Sequence, residues 1–238
     1  TSDHEVNLKI LLNTISATDN ICKEETQSTL NSMTEQVVNL VLQSTYNQAL
    51  AISIDERFSR RYQSDFLKVI EVLEQNVEAF DRRSFFIPKS ENIHEVVDID
   101  GSIVRPVICS LFSYSKIFVK KILLESTLID EQFALRYLYR YFPKSFVGAY
   151  EHEVLTHPLK REIIATKIAD VILNSQGCTF VSDYLKLGHE RFLLKIKSYL
   201  IAKQLFGARD IREKLYSQDY IMDVECQYKL IGKLEYTL

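Results

Sequence analysis

The chain reads as all-α, an irregular multi-helix bundle of amphipathic helices, and three observations carry that reading. Only six Gly and four Pro punctuate 238 residues, so long helices joined by short turns are expected. Hydrophobic residues make up 46% of the chain, enough to build a sizeable core. Apolar side chains recur three and four residues apart along most of its length, which is the period of a helix face. A chain of this size suits one large domain or two small ones, burying roughly 70–75% of its unfolded surface.

The first helix is already under way at the first residues. Val6 and Ile10, with Leu11 on the flank, sit in helical register, and no initiator Met or leader precedes them. The expectation is a piece cut from a longer chain. Residues 14–31 are polar, rich in Ser, Thr, Asn and Glu, and read as a linker. Ser32-Met33-Thr34-Glu35 has the spacing of a capping box, in which Ser accepts from first-turn amides and Glu reaches back. Val37, Val38, Val41, Leu42 and Tyr46 follow as an apolar stripe. A second capping box, Ser53-Ile54-Asp55-Glu56, predicts a break or kink before a helix over about 55–80, with Phe66, Val69, Ile70 and Leu73 turned inward. Residues 81–103 lose the helical period and contain Pro88. Within them, 96–101 is compatible with a short hairpin or with a long ordered loop.

Helical signals return at Ser102. Pro106 suits a first helical turn, where its missing donor is not needed, and Val107, Leu111, Tyr114 and Phe118 continue the period. Asp130 has the chemistry of an N-cap for a helix ending at Tyr141-Phe142-Pro143. His157-Pro158 opens the clearest element: Ile164, Ile168, Val171 and Ile172 line one face, Lys160, Lys167, Asp170 and Asn174 the other, and Gly177 is the C-cap. Phe192, Ile196, Tyr199 and Leu200 mark another helix, closed by Gly207. The last, from Met222 to Leu238, is still amphipathic at the final residue, again as expected of a piece of something longer.

Several function classes are disfavoured. Charged residues are 26% and the net charge is −3. Arg82-Arg83 and Lys120-Lys121 are isolated pairs rather than the clustered stripe that nucleic acid demands. Apolar runs are interrupted well short of the ~20 residues needed to span a bilayer. Cys22, Cys109, Cys178 and Cys226 are too widely spaced for a disulfide framework or a zinc site, and read as buried free thiols. No Gly-x-Gly-x-x-Gly or phosphate-loop Gly-Lys-Ser/Thr occurs, so no nucleotide cradle is recognisable.

Three clusters hold residue types that do chemistry. Glu151-His152-Glu153 with His157 has metal-ligating types, but two His five residues apart do not stack on one helical face; a solvated loop with a capping His is the plainer reading. Ser2-Asp3-His4 has the composition of a catalytic triad, yet adjacent residues cannot align nucleophile, base and orienter. Tyr137, Tyr139, Tyr141 and Phe142 concentrate aromatics at helical spacing, as core or interface packing does. The catalytic and metal assignments are therefore none.

Four ordered blocks carry a family resemblance. Ser2-Asp3-His4-Glu5-Val6-Asn7 with Lys9-Ile10-Leu11-Leu12 resembles the segment ending the catalytic region of the large bacterial NAD-specific glutamate dehydrogenases. Residues 32–37 and 46–51 follow. Next come Arg105-Pro106 with 111–117 and Arg140-Tyr141-Phe142-Pro143, and last His157-Pro158 to Thr166 with Asn174 and 177–181. These three are similar to the helical C-terminal domain of the same family, in the same order. The resemblance implies a parent that oxidises L-glutamate with NAD and water to 2-oxoglutarate, ammonium and NADH. It implies that residues 1–25 are the last catalytic helix plus linker and 26–238 a C-terminal helical domain, truncated at both ends. By the same similarity Ser2 is a substrate-binding residue whose hydroxyl meets a substrate carboxylate; as a residue on its own, it also reads as an N-cap. Asp3-His4 stand where smaller glutamate dehydrogenases carry aromatics.

The remaining expectations follow from that resemblance. NAD belongs to the parent and is not bound by this piece, which is inactive alone. Its partners are the rest of the parent chain and, in a homo-oligomer, other copies; no nucleic acid or membrane is expected, and the location is cytoplasmic. Whether the domain serves oligomerisation, regulation or support is left open. The competing class is a free-standing helical interaction module.

Overall fold

A computed structural model describes residues 3–19, 23–87, 95–219 and 221–237. Among these residues helices dominate and no strand forms, as expected of an all-α chain. In order they are α1 (Asp3–Asp19), α2 (Lys23–Phe58), α3 (Gln63–Asn76), α4 (Arg105–Leu124), α5 (Leu135–Tyr139), α6 (Lys144–Ala149), α7 (Glu151–Leu155), α8 (Lys160–Gln176), α9 (Tyr184–Leu205), α10 (Ala208–Tyr216) and α11 (Val224–Thr237). The chain divides into two compact units, Thr1–Ala49 with Leu123–Ala169, and Leu50–Ile122 with Asp170–Leu238.

In the first unit α7 packs on α1, α5 and α6. The buried face of α1 is Leu8, Leu11, Leu12 and Ile15 together with His4 and Asn7. This corrects the expected register: Val6 is 46% exposed, because the two polar residues have partners that admit them to the interior. The stretch 14–31 is not a linker where it is described. Residues 14–19 end α1 and 23–31 begin α2, so position 32 lies inside a helix rather than at its start. The stripe on α2 is only partly covered: Val37, Val41 and Tyr46 are half-buried, whereas Val38 and Leu42 are 47% and 61% exposed. Periodicity identifies a face without saying what covers it. Asp130 also departs from expectation. It lies in a 3₁₀ turn, Leu128–Asp130, and its carboxylate takes an ion pair from Arg161 instead of capping a helix. Tyr137, Tyr141 and Phe142 are buried as packing residues.

In the second unit α3 lies against the 3₁₀ turn Cys178–Asp183 and α9. Phe66, Val69, Ile70 and Leu73 face inward as their spacing requires. The break after α2 falls at Ser59–Tyr62 rather than before Asp55, and α3 stops at Asn76, where Val77 turns extended. An aromatic cluster joins Phe118 edge-on to Tyr184 at 5.0 Å, and Tyr184 to Phe192 at 5.4 Å. Around residues 96–104 the chain makes a small hairpin-like turn: Asp98 N–H donates to Ser102 C=O at 2.7 Å, and a single antiparallel bridge pairs Val97 with Ile103. Pro88 lies outside the described residues. Of the cysteines described, Cys109, Cys178 and Cys226 are free thiols, but only Cys178 is buried and Cys226 is exposed.

The C-cap of α8 is built from both sides. Gly177 has φ +71°, a conformation that side chains rarely adopt, and a Cβ there would overlap the Asp55 carboxylate. Asp55 accepts from the Cys178 backbone N–H at 2.8 Å. Burial pushes its carboxyl from 3.8 to about 7, although that bond from Cys178 opposes the rise. Asn174, expected on the solvent face of α8, is buried instead; its backbone carbonyl accepts from Arg212.

A carboxyl whose pKa rises on folding stabilises the fold fully below its unfolded value and loses that contribution as pH climbs to the folded one. Asp55 should therefore weaken the fold progressively from pH 4 to pH 7. With a difference of three units, the cost at and above neutrality is on the order of 4 kcal/mol. Asp55→Asn should gain stability relative to the parent sequence by about 1.4 kcal/mol per pH unit across that window. Denaturant unfolding of both chains at a series of pH values checks this; parallel curves would exclude it.

Candidate functional site

The first turn of α1 is the candidate site, because the one residue expected to touch substrate, Ser2, directly precedes it in sequence. Ser2 itself lies outside the described residues. Asp3 is exposed, while His4 and Asn7 are 8% exposed and point into the first unit. His4 Nδ1 lies 2.9 Å from the Tyr141 carbonyl. That oxygen can only accept, so Nδ1 carries the proton. The His4 ring also stacks on the Tyr141 ring, with centroids 4.1 Å apart and planes at 21°.

Asn7 uses its amide nitrogen twice, donating to the Asp3 carbonyl at 2.9 Å and to the Tyr141 hydroxyl at 2.7 Å. The Asp3 carbonyl cannot donate, which fixes the orientation of the amide. Its oxygen, Oδ1, is buried with no partner among the described residues. The backbone carbonyl of Asn7 accepts from His157 Nε2 at 3.3 Å, and His157 Nδ1 accepts from the Leu159 N–H at 3.0 Å. His157 is thus the capping residue expected before α8, held as the Nε2–H tautomer. Burial lowers its pKa, opposed by the bond to Asn7 and by Glu162.

The sequence clusters are sorted differently by the fold. Glu151 to Glu153 belong to a short helix, α7, rather than to a solvated loop. Glu151 accepts the Tyr139 hydroxyl at 2.8 Å, and both ring nitrogens of His157 are engaged elsewhere. Among the described residues no group of three metal-ligating side chains forms. The sequence reading missed that His4, Asn7, Tyr141 and His157 form one network. The signal was present: positions 4 and 7 share a helical face with Leu8 and Leu11, and a polar residue on an apolar stripe demands a partner.

Two other polar regions belong to the second unit. A cleft of about 430 Å³ is lined by Arg57, Asp98, Asp100, Ser102, Arg105 and Tyr228, among others. Its charges are already spent on one another and on the turn. Arg105 is paired with Glu56 at 2.6 Å, and Asp98 and Asp100 accept from the Ile99 and Ser102 N–H groups. The second region is buried. Glu235 of α11 accepts from Arg212 at 2.6 Å and from the Tyr199 hydroxyl at 2.7 Å. Lys203 stands 3.5 Å from it and donates to Ser175. Burial pushes Glu235 up, but Lys203, Arg212 and Tyr199 together outweigh it and hold the carboxyl below its usual range. Burial also lowers Lys203 to about 8, with Glu235 opposing.

Comparison with known proteins supplies the context. The family described as glutamate dehydrogenase, C-terminal, matches residues 101–238, and the catalytic domain of bacterial NAD-glutamate dehydrogenase matches residues 1–55. The chain is similar to the NAD-specific glutamate dehydrogenase of Pseudomonas aeruginosa, 30% identical over 98% of this chain and 14% of that protein. The enzyme of the same name from Halomonas elongata is 29% identical over 97% of this chain and 14% of its own length. That of Mycobacterium tuberculosis is 24% identical over 90% and 13%. The chain thus spans about 14% of the length of the first two relatives. No described helix is long and apolar enough to cross a membrane.

The network makes one prediction on its own. The buried His157 ring favours its neutral form, so its contribution to stability is present above the unfolded value of 6.5 and is lost as pH falls below it. His157→Leu should lower stability by about 1 kcal/mol at pH 8 through loss of the cap. It should also flatten the part of the acid dependence that lies below pH 6.5. Paired thermal melts from pH 8 to pH 5 would show it; an unchanged slope in the variant would count against the assignment.

Proposed function

The chain belongs to the NAD-specific glutamate dehydrogenase family, and from that membership we propose that it is one part of a longer enzyme. That enzyme converts L-glutamate, NAD and water to 2-oxoglutarate, ammonium and NADH. The observation that carries the proposal is that a catalytic-domain match at residues 1–55 and a C-terminal-domain match at 101–238 occur in one chain. A free-standing interaction module would have no reason to carry the first. The division near residue 25 between catalytic helix and helical domain is part of the proposal, alongside a catalytic likeness that runs on to residue 55.

In this reading the helical portion is non-catalytic and supports or regulates the rest of the chain, in a cytoplasmic homo-oligomer. NAD is held elsewhere in the parent. Ser2 is the substrate-binding residue of this piece. The first-turn amides of α1 follow it, and a helix N-terminus favours a carboxylate.

Two measurements test this. The isolated chain should show no glutamate-dependent NAD reduction, and saturating NAD should leave its melting temperature unchanged; a clear rise would mean that NAD binds the folded chain. In the full-length enzyme, Ser2→Ala removes one hydrogen bond to a charged group, worth about 1.5–3 kcal/mol. It should lower kcat/KM for glutamate roughly tenfold to a hundredfold and barely move KM for NAD. A variant with ordinary glutamate kinetics and about 1 kcal/mol less stability would make Ser2 a helix cap only.

A further inference from the structure

We propose that Tyr141 and Asn7 are positioning residues for the substrate site. Their hydrogen bond, framed by His4 and His157, fixes the direction of the first turn of α1, the turn that Ser2 precedes in sequence. The proposal rests on the reading of Ser2 given above and extends it to residues far away in sequence.

The geometry is specific to that turn. The hydrogen bonds that Tyr141 and His157 make to α1 end on the His4 ring and on the Asn7 amide and carbonyl, and the same Asn7 amide donates to the Asp3 carbonyl. The opposing groups come from Tyr141 and His157, 134 and 150 residues away from Asn7. A first helical turn lacks intrahelical partners for its leading amides and frays readily. Tying its side chains and a carbonyl to a packed aromatic and a buried imidazole suppresses that motion. Both anchors are themselves held. Tyr141 is 5% and His157 3% exposed, Phe142 stands edge-on to the Tyr141 ring at 5.0 Å, and His157 is locked by the Leu159 N–H.

Positioning of this kind matters because misplacing a binding group by about 1 Å can cost of the order of a hundredfold in rate. The region similar to the C-terminal domain would then complete the catalytic region by bracing one helix of it. Tyr141→Phe deletes one oxygen and keeps the ring stacked on His4. Asn7→Ala removes the same bond from the other side.

The test is steady-state kinetics on the full-length enzyme with Tyr141→Phe, Asn7→Ala, Ser2→Ala and the doubles, with a thermal melt of each to confirm folding. Either single variant should raise KM for glutamate about fivefold, the effect expected of one lost neutral hydrogen bond. KM for NAD should move far less. In the Ser2→Ala background neither should add a further rise, because the group being positioned is gone. Wild-type glutamate KM in Tyr141→Phe and Asn7→Ala, beside a loss in Ser2→Ala, overturns the proposal and leaves the Ser2 reading standing. An additive rise in the double variants, or an equal rise in KM for NAD, also overturns it. If Ser2→Ala alone has no effect, the Ser2 reading fails first and this proposal falls with it.

Discussion

The first unit depends on one constraint: two polar side chains on the inward face of α1 must be hydrogen-bonded before that helix can bury Leu8, Leu11 and Leu12 behind them. Burying an amide or imidazole without a partner costs roughly 1–3 kcal/mol, enough to rotate a helix by one position toward a purely apolar face. Val6 and Ile10 offer such a face. They lose because Tyr141 presents a carbonyl to His4 and a hydroxyl to Asn7 at hydrogen-bond distance, and His157 presents an N–H to the Asn7 backbone. The chosen rotation is therefore encoded as much by residues 141 and 157 as by α1.

The second unit solves the same problem with charges. Asp55 stands against the Gly177–Cys178 turn, and burial raises its pKa although the Cys178 N–H and thiol both oppose the rise. Glu235 is the opposite case. Two cations and a phenol surround it, so it stays ionised although buried, and it holds α11 to α9 and α10. Breaking either side of such a cluster leaves a charge buried alone, which is costlier than never having buried it. The cluster is thus a matched set rather than a sum of separable contacts.

This division explains what the sequence could and could not disclose. Helix faces whose apolar spacing is uninterrupted were legible. Phe66, Val69, Ile70 and Leu73 on α3 are buried, as are Phe192, Ile196, Tyr199 and Leu200 on α9. So were ends set by local chemistry, Gly177 and Gly207 at positive φ and His157 as a cap. Capping boxes misled at Ser53, because that pattern also occurs inside a long helix, where a hydroxyl meets other partners. Polar composition misled at 14–19 and 23–31, since Ser, Thr and Glu do not by themselves prevent a helix. The site network was illegible as a whole because its halves lie more than 130 residues apart, and spacing arguments reach one helix at a time. The resemblance carried in four ordered blocks located the family, and the residues quoted for it include His4, Asn7, Tyr141 and His157 without any hint that they meet.

The chemistry of the network on the first turn of α1 suits its place. A cluster like that around Glu235, with Lys203 and Arg212, would set a strong field near any group it braced, and its cations would themselves compete for a carboxylate. The bonds around Asn7 instead involve an amide, a phenol, backbone carbonyls and a His157 ring that burial keeps neutral. Such groups fix direction through bond geometry while leaving little charge behind. If Ser2 binds an anionic substrate as proposed, the turn that follows it in sequence is better held by neutral, directional contacts than by ion pairs. In the proposed enzyme the two units would then divide the work by chemistry, with directional bonds where a ligand is to be met and buried charges where only helices are to be joined.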